Sequence, residues 1–215
     1  MKKVFLFDLD GVIFDTETQY SALWKQLGAK YLPEIEGLGS KIKGQTLTQI
    51  FDSYFPGATE VQASIVEAIN DFEQSMSYDY IKGVVPFVTK LREQGLKTAV
   101  VTSSNAMKME QVYAHHPEFK GYFDRIFTSE DFTESKPHPQ CYLLGAEFFG
   151  CSPQECVGFE DSINGLKSVR AAGMTVVGLA TTNPVDVIAP MSDIVIPHFE
   201  GLEPDDLLKL VFVDK

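Results

Sequence analysis

Cysteine is scarce in this sequence. Of its 215 residues only Cys141, Cys151 and Cys156 carry a thiol, an odd number without the Cys-x-x-Cys spacing of common zinc sites. Neither a disulfide framework nor a structural zinc site is therefore indicated. We interpret the three thiols as reduced residues of the core, which agrees with a cytoplasmic setting.

Long hydrophobic runs and an excess of positive charge are also missing. No run approaches the roughly 18 consecutive apolar residues expected of a membrane span, so we expect neither secretion nor membrane insertion. The 18 lysines and arginines are outnumbered by 30 aspartates and glutamates, which gives a formal net charge of -12. Binding to nucleic acid or to an anionic membrane relies on clustered basic residues, so neither is an expected partner.

Apolar residues are plentiful and follow a regular order. They make up 44% of the chain, enough for one sizeable packed domain with a smaller insertion. Apolar runs typical of buried strands occupy residues 4–7, 96–101, 125–128, 156–159, 175–179 and 193–196. Helical patterns between them occupy residues 87–94, 106–115, 139–149 and 165–172. This alternation predicts an α/β fold, a Rossmann-like parallel sheet with helices on both faces.

Residues 16–79 interrupt the alternation. Helical patterns cover residues 17–32, 46–54 and 60–77, and no convincing strand lies among them. Glycine and proline at plausible connections separate these patterns. We therefore predict an α/β core of residues 1–15 and 80–215, with an inserted helical cap of residues 16–79.

Two carboxylates follow the first predicted strand. Asp8 and Asp10 are two residues apart at its end, so on a pleated strand they point the same way, and Gly11 permits a sharp turn behind them. Ligands of open α/β sheets bind outside the carboxyl ends of the strands. The alternative is a simple turn that ends the strand, because aspartate and glycine are both favoured turn residues.

Polar residues also follow two other strands and precede one helix. Thr102 and Ser103 come after strand 96–101, where hydroxyls and free helix N–H groups can hold a phosphate. Lys136 lies in a proline-stiffened segment before helix 139–149, and Glu160 and Asp161 follow strand 156–159, where carboxylates suit Mg²⁺. Taken alone, the residues after the two strands could simply cap the helices that follow, and Lys136 could be an ordinary solvated lysine. Four clusters at equivalent positions favour a common site.

In this order the clusters resemble the motifs of the haloacid dehalogenase-like superfamily, and the resemblance covers essentially the whole chain. The matching residues are Asp8-Leu9-Asp10-Gly11, Thr102, Lys136 and Glu160-Asp161. Segments 136–139 and 158–165 are similar to the subgroup that contains β-phosphoglucomutase and small sugar-phosphate or phosphoglycolate phosphatases. That subgroup carries a helical cap between the first and second motifs, where residues 16–79 fall in this chain.

The resemblance implies distinct roles for the acids. Asp8 would be the nucleophile that forms an aspartyl-phosphate, and Asp10 would protonate the leaving oxygen and then activate water. The implied cofactor is Mg²⁺, held by Asp8, the backbone carbonyl of Asp10, and Asp161. Glu160 would bind the ion directly or support it through water.

The resemblance also implies where the substrate binds. Thr102, the Ser103 amide and Lys136 would hold the phosphoryl group. The cap would close over the substrate and exclude water. Lys43 and Gln45, in the segment Lys43-Gly44-Gln45-Thr46, are the candidate substrate contacts from the cap.

We therefore expect a Mg²⁺-dependent phosphatase, monomeric or weakly dimeric, that acts on a small phosphorylated metabolite, with a sugar or polyol phosphate as the expected class. The first alternative is a phosphosugar mutase resembling β-phosphoglucomutase. Residues 16–79 contain no arginine to grip a second phosphate, which favours hydrolysis, although Lys41 or Lys43 could act as a point charge. The alternative of another class is a non-catalytic metabolite-binding protein on the same fold.

Overall fold

The computed structural model describes residues 3–43 and 45–212, and its centre is a sheet of six parallel strands. The strands are β1 (Val4–Phe7), β2 (Lys97–Val101), β3 (Arg125–Phe127), β4 (Cys156–Glu160), β5 (Thr175–Leu179) and β6 (Ile194–Ile196). Their order in the sheet is β3-β2-β1-β4-β5-β6. All six predicted strands are present, with one end shifted by a residue in four of them. The predicted α/β fold is confirmed.

Ten α-helices accompany the sheet in the described part of the chain. They are α1 (Glu17–Tyr31), α2 (Leu38–Lys41), α3 (Leu47–Tyr54), α4 (Thr59–Ser75), α5 (Val84–Glu93), α6 (Ala106–His115), α7 (Gln140–Phe149), α8 (Ile163–Ala171), α9 (Val185–Ile188) and α10 (Pro204–Phe212). The sequence analysis missed α2, α9 and α10. Across residues 3–43 and 45–212, no helix combines the length and apolar character needed to cross a membrane.

Both faces of the sheet are covered, because successive side chains of a strand point to opposite sides. Phe5 and Phe7 of β1 pack in the apolar cluster that includes α5, α6 and α10, whereas Val4 and Leu6 pack in the cluster that includes α7, α8 and α9. Phe7 also stacks on Phe159 of β4, with ring centroids 4.5 Å apart. Since β1 lies between β2 and β4, the residues that follow these three strands meet at one edge of the sheet.

Helices α1 to α4 all lie within segment 16–79, the predicted cap, and share an apolar core. Its buried residues include Trp24, Leu27, Leu38, Ile42, Ile50, Phe55, Ile65 and Ile69. The described residues of segment 16–79 contain no strand. The boundaries at 15/16 and 79/80 stay predictions, and Gly44 of the predicted cap loop lies outside the described residues, as do residues 1–2 and 213–215 of the predicted core.

The two connections between the insertion and the sheet run side by side. The Asp15 amide donates to the Asp79 carbonyl at 2.8 Å. The Gln19 side-chain amide donates to the carbonyls of Asp15 and Ser77, at 3.0 Å each. These bonds hold the two connecting segments together.

Candidate active site

The predicted site residues meet at the carboxyl edge of the sheet, beneath the inserted helices. A cavity of about 540 Å³ lies there, a volume typical of small-molecule sites. Eight of the nine predicted residues line it: Asp8, Asp10, Lys43, Gln45, Thr102, Ser103, Lys136 and Asp161. The ninth, Glu160, is completely buried and contacts Lys136.

A buried ion pair occupies one wall of this cavity. Asp8 directly follows β1, and its amide donates to the Phe159 carbonyl of β4 at 3.0 Å. Lys136 Nζ donates to Asp8 Oδ1 at 2.7 Å and to the Val101 carbonyl at 3.2 Å, and it lies 2.6 Å from Glu160 Oε1. Burial acts to lower the pKa of Lys136, but the two carboxylates outweigh it and raise that pKa. The lysine is therefore a fixed cation.

Three carboxyl groups converge beside this lysine. Asp8, Glu160 and Asp161 offer oxygen atoms that all lie within 4.8 Å of one another. Burial and then the Glu160 carboxylate raise the pKa of Asp8 to about 8, against the opposing effect of Lys136. Burial, followed by repulsion from Glu17, Asp8 and Glu160, raises the pKa of Asp161 well above its usual range. A divalent cation would relieve this repulsion.

The environment of Asp161 fits an oxygen-ligated cation such as Mg²⁺. Its Oδ2 atom is buried and makes no hydrogen bond of good geometry within residues 3–43 and 45–212, although the Thr182 hydroxyl lies near this carboxyl and acts to lower its pKa. Gly11 leaves the space beside this oxygen open. Its φ is 74°, and a Cβ there would overlap Oδ2 and lie 2.6 Å from Cγ of Asp161. Together with Asp8, this carboxylate supplies the hard oxygen ligands that Mg²⁺ prefers.

Glu160 differs from the other two acids because protein donors already engage both of its oxygens. Its Oε1 atom is close to Lys136 and accepts a hydrogen bond from the Tyr142 hydroxyl at 2.7 Å. Its Oε2 atom accepts a longer bond from the Ser162 hydroxyl at 3.4 Å. These contacts favour an indirect role beside a metal over direct ligation.

Asp10 is held by a separate set of donors. Lys108 Nζ lies 2.6 Å from Asp10 Oδ1 and 2.5 Å from Oδ2. The Thr16 hydroxyl donates to Oδ1, and the Ser104 hydroxyl donates to Oδ2 at 3.2 Å. Burial acts to raise the pKa of Asp10, but Lys108 and the hydroxyls outweigh it and lower that pKa. The sequence analysis missed these three donors, because a single lysine on a helix is ordinarily solvated.

Thr102 and Ser103, two of the predicted phosphate-binding residues, lie directly after β2. The Thr102 amide donates to the Phe127 carbonyl at 3.0 Å, and the Thr102 hydroxyl accepts from the Ser104 amide at 3.0 Å. The Ser103 hydroxyl oxygen is buried and finds no partner among the described residues. These residues precede α6, where the Lys108 amide donates to the capping Asn105 side chain and the Ala106 amide donates to Glu130.

Lys43 and Gln45 reach the cavity from the inserted helices. Lys43 Nζ lies 3.3 Å from a carboxylate oxygen of Glu17, and the Lys43 carbonyl accepts from the Asn164 side chain at 2.8 Å. The Gln45 side-chain amide donates to the Lys41 carbonyl at 3.1 Å. Its other terminal atom, Oε1, is buried and lacks a partner in the described part of the chain.

The sequence is similar to those of known proteins. A family model described as haloacid dehalogenase-like hydrolase matches residues 5–179. Hexitol phosphatase A of Escherichia coli is 29% identical over 188 residues, 86% of this chain and 85% of that protein. Beta-phosphoglucomutase of Bacillus subtilis is 26% identical over 197 residues, 85% of each chain.

Solved structures show the same fold. A crystal structure of beta-phosphoglucomutase from Clostridium difficile matches with a TM-score of 0.80 at 22% identity, and the match covers 98% of this chain and 97% of that one. The sequence resemblance noted above is thus confirmed by a match that spans most of the chain. The protein belongs to the haloacid dehalogenase-like hydrolase family.

Proposed function

We propose that the protein is a Mg²⁺-dependent phosphatase that hydrolyses a small sugar or polyol monophosphate through a phosphorylated Asp8. The observation that carries the proposal is the buried contact of 2.7 Å between Asp8 and Lys136, beside the unpartnered oxygen of Asp161. A nucleophilic carboxylate, a fixed ammonium group and a metal-binding acid are the groups that phosphoryl transfer by this route needs.

In this proposal Asp8 and Asp10 divide the reaction into two steps. First, an Asp8 oxygen attacks phosphorus, the bond from phosphorus to the ester oxygen breaks, and the Asp10 carboxyl gives its proton to the leaving alcohol. Second, the Asp10 carboxylate takes a proton from water as the water oxygen attacks phosphorus, and the bond to Asp8 breaks to release phosphate. The lowered pKa of Asp10 beside Lys108 favours the ionised form that the second step requires, whereas the first step uses the less populated protonated form.

The transferring phosphoryl group would be held by Thr102, Ser103 and Lys136. The unpartnered Ser103 hydroxyl supports this placement, because it is a buried donor that faces the cavity without a protein acceptor. Lys136 supplies positive charge beside the nucleophile. Such positioned donors and charges account for most of the catalysis in phosphoryl transfer.

Asp8 and Asp161, with the backbone carbonyl of Asp10, would hold the Mg²⁺ ion. When bound, the ion supplies positive charge that offsets the negative charge on the phosphoryl oxygens. The crowding of Asp8, Glu160 and Asp161 supports such an ion. Glu160, already bonded to Tyr142 and Lys136, would help to keep its neighbours in place.

The wall of the cavity formed by the inserted helices supports a substrate whose part beyond the phosphate is neutral and rich in hydroxyl groups. This wall includes the acids Asp52 and Glu73, and its Lys43 is paired with Glu17, so it disfavours a second anionic group. The buried Gln45 Oε1 atom is an acceptor without a protein donor, which a substrate hydroxyl would satisfy. The relationship to a protein named hexitol phosphatase A points in the same direction.

The arrangement of cations favours hydrolysis over the mutase alternative. A mutase of the β-phosphoglucomutase type must bind a second phosphate at the cap. The described residues that line the cavity include three lysines and no arginine. Lys43 is close to Glu17, Lys108 to Asp10 and Lys136 to Asp8, so each of the three is already neutralised by a carboxylate.

Phosphate release from a panel of monophosphates tests this proposal. The panel contains hexose and hexitol phosphates, phosphoglycolate and nucleoside monophosphates, each with Mg²⁺ or with EDTA. We expect Mg²⁺-dependent release that is fastest for a hexose or hexitol phosphate, is lost in Asp8→Asn, and is retained in Asp206→Asn, an exposed control. Release from no panel member, together with isomerisation of a hexose 1-phosphate in a coupled assay, would favour the mutase.

A further inference from the structure

Lys108 is a buried cation that contacts Asp10 but none of the groups that hold the phosphoryl group in the reaction described above. It is 3% exposed, although it lies on helix α6 outside the sheet. Burying an ammonium group costs free energy unless charged or polar partners compensate it. Its Nζ atom contacts both carboxylate oxygens of Asp10, at 2.6 and 2.5 Å, so one carboxylate compensates this charge at close range.

This contact fixes the orientation of Asp10. Lys108 engages both oxygens, the Thr16 hydroxyl donates to one and the Ser104 hydroxyl donates to the other. With both oxygens held, the carboxyl group has little freedom to rotate. A general acid must lie within hydrogen-bond reach of the leaving oxygen, and an error of about 1 Å in such a position costs on the order of 100-fold in rate.

The same lysine contacts the inserted helices. Its Nζ atom lies 4.4 Å from the ring centroid of Tyr20 on α1, within the range of a cation–π contact. The Tyr20 hydroxyl donates to a carboxylate oxygen of Glu73 on α4 at 2.7 Å, and the Tyr78 hydroxyl donates to the Glu73 carbonyl at 2.9 Å. A continuous series of contacts thus runs from Asp10 through Lys108 to two inserted helices.

We propose that Lys108 is a positioning residue that orients the Asp10 carboxyl towards the leaving oxygen, and that this orientation depends on the contact between Lys108 and the Tyr20 ring. The proposal rests on the proposed phosphatase function and adds a residue to it. Lys108 acts through Asp10 and does not contact the reacting atoms. Its effect therefore falls on the proton given to the leaving group.

Substrates with different leaving groups provide the test. An alkyl phosphate needs a proton on its leaving oxygen, whereas p-nitrophenyl phosphate releases a stable anion without one. The kcat/KM value reports the first step for both. We expect Lys108→Met to lower kcat/KM about 10- to 100-fold for the alkyl phosphate and less than about threefold for the aryl phosphate. The larger loss is part of the roughly 10²- to 10⁴-fold rate increase that general acid catalysis contributes. Lys209→Met, at an exposed site, is the control.

Substitutions of Tyr20 test the link between Lys108 and the inserted helices. Tyr20→Phe keeps the ring face below Lys108, and we expect it to retain the wild-type ratio of alkyl to aryl kcat/KM. Tyr20→Leu removes the ring, and as a single substitution we expect it to lower the ratio of alkyl to aryl kcat/KM. Added to Lys108→Met, it should lower this ratio no further, because the effects of residues that act through one another are not additive. Circular dichroism and the melting temperature identify any variant that fails to fold. If Lys108→Met does not fold, the comparison of Tyr20→Phe with Tyr20→Leu tests the proposal.

Three results would overturn the proposal. They are an equal loss on both substrates in Lys108→Met, an unchanged or increased alkyl kcat/KM, and fully additive effects of Lys108→Met and Tyr20→Leu. Absence of phosphate release by the wild-type protein from every phosphate tested would instead contradict the phosphatase function itself. The two failures are therefore distinguishable.

Discussion

Replacing Gly11 by alanine is expected to damage the site far more than the fold. Gly11 has a φ of 74°, in the left-handed region, where a Cβ atom costs about 1–2 kcal/mol. That Cβ would also overlap Asp161 Oδ2 and lie 2.6 Å from its Cγ, whereas ordinary van der Waals contact begins at 3.4 Å. The Asp161 carboxyl or the loop must therefore move by roughly 1 Å, a displacement that costs on the order of 100-fold in rate.

Gly95→Ala is the matched control, because it carries the backbone cost alone. Gly95 has a φ of 75°, is exposed between α5 and β2, and apart from its two chain neighbours has no heavy atom of the described residues within 4 Å of its Cβ position. From the backbone cost alone, each variant is expected to lose about 1–2 kcal/mol of unfolding free energy, which lowers the melting temperature by about 2–8 °C.

Two assays separate these contributions. Thermal denaturation with and without Mg²⁺ reports stability and metal binding, and phosphate release reports kcat/KM. Gly11→Ala should lose about 100-fold in kcat/KM and most of the stabilisation by Mg²⁺, whereas Gly95→Ala should keep both. If Gly11→Ala stayed within about threefold of Gly95→Ala in kcat/KM, the close approach of Gly11 to Asp161 would not matter, and the reasoning would be refuted.

Three further predictions concern the same cavity. Lys136→Met leaves two buried carboxylates without their cation, so urea denaturation in EDTA should show a loss of about 3–5 kcal/mol; an unchanged unfolding free energy would contradict this. Gln45→Leu removes a buried acceptor and should lower kcat/KM for a polyol phosphate about tenfold, while kcat/KM for p-nitrophenyl phosphate stays unchanged. Equal losses of kcat/KM on both substrates would argue against a substrate contact. Folding raises the pKa values of Asp8 and Asp161, so above pH 4 the folded state binds more protons than the unfolded state. The melting temperature in EDTA should therefore fall as the pH rises from 5 to about 8. Mg²⁺ should therefore stabilise the protein more at pH 8 than at pH 5, and a melting temperature that rises over this interval would contradict the account.

The sequence predicts those parts of the site that follow strands. Asp8, Thr102 and Glu160 stand next to apolar runs whose ends are visible in the sequence, and a parallel sheet brings such ends to one edge. The order of the strands is not visible, because it depends on which crossovers pass over which face of the sheet. The placement of β1 between β2 and β4, which sets the distances within the site, therefore required the structure.

The contacts of Lys108 show a second limit of the sequence. Its burial results from helices α1 and α4 packing beside α6, and the residues involved, Tyr20 and Glu73, are 88 and 35 positions away along the chain. No local pattern distinguishes such a lysine from an exposed one. Helix α10 is different, because its signals are local: Pro204 opens it, and Leu207 and Val211 are four residues apart on its buried face.

The covalent state of Asp8 during turnover tests the central claim most directly. The protein would be mixed with a hydrolysed sugar or polyol phosphate and Mg²⁺, quenched in acid within the first turnover, and digested for mass spectrometry. The account predicts one phosphoryl group on the peptide that contains Asp8, and neither this adduct nor phosphate release in Asp8→Asn. Phosphate release by the wild-type protein without this adduct, or with the phosphoryl group on another residue, would contradict the account.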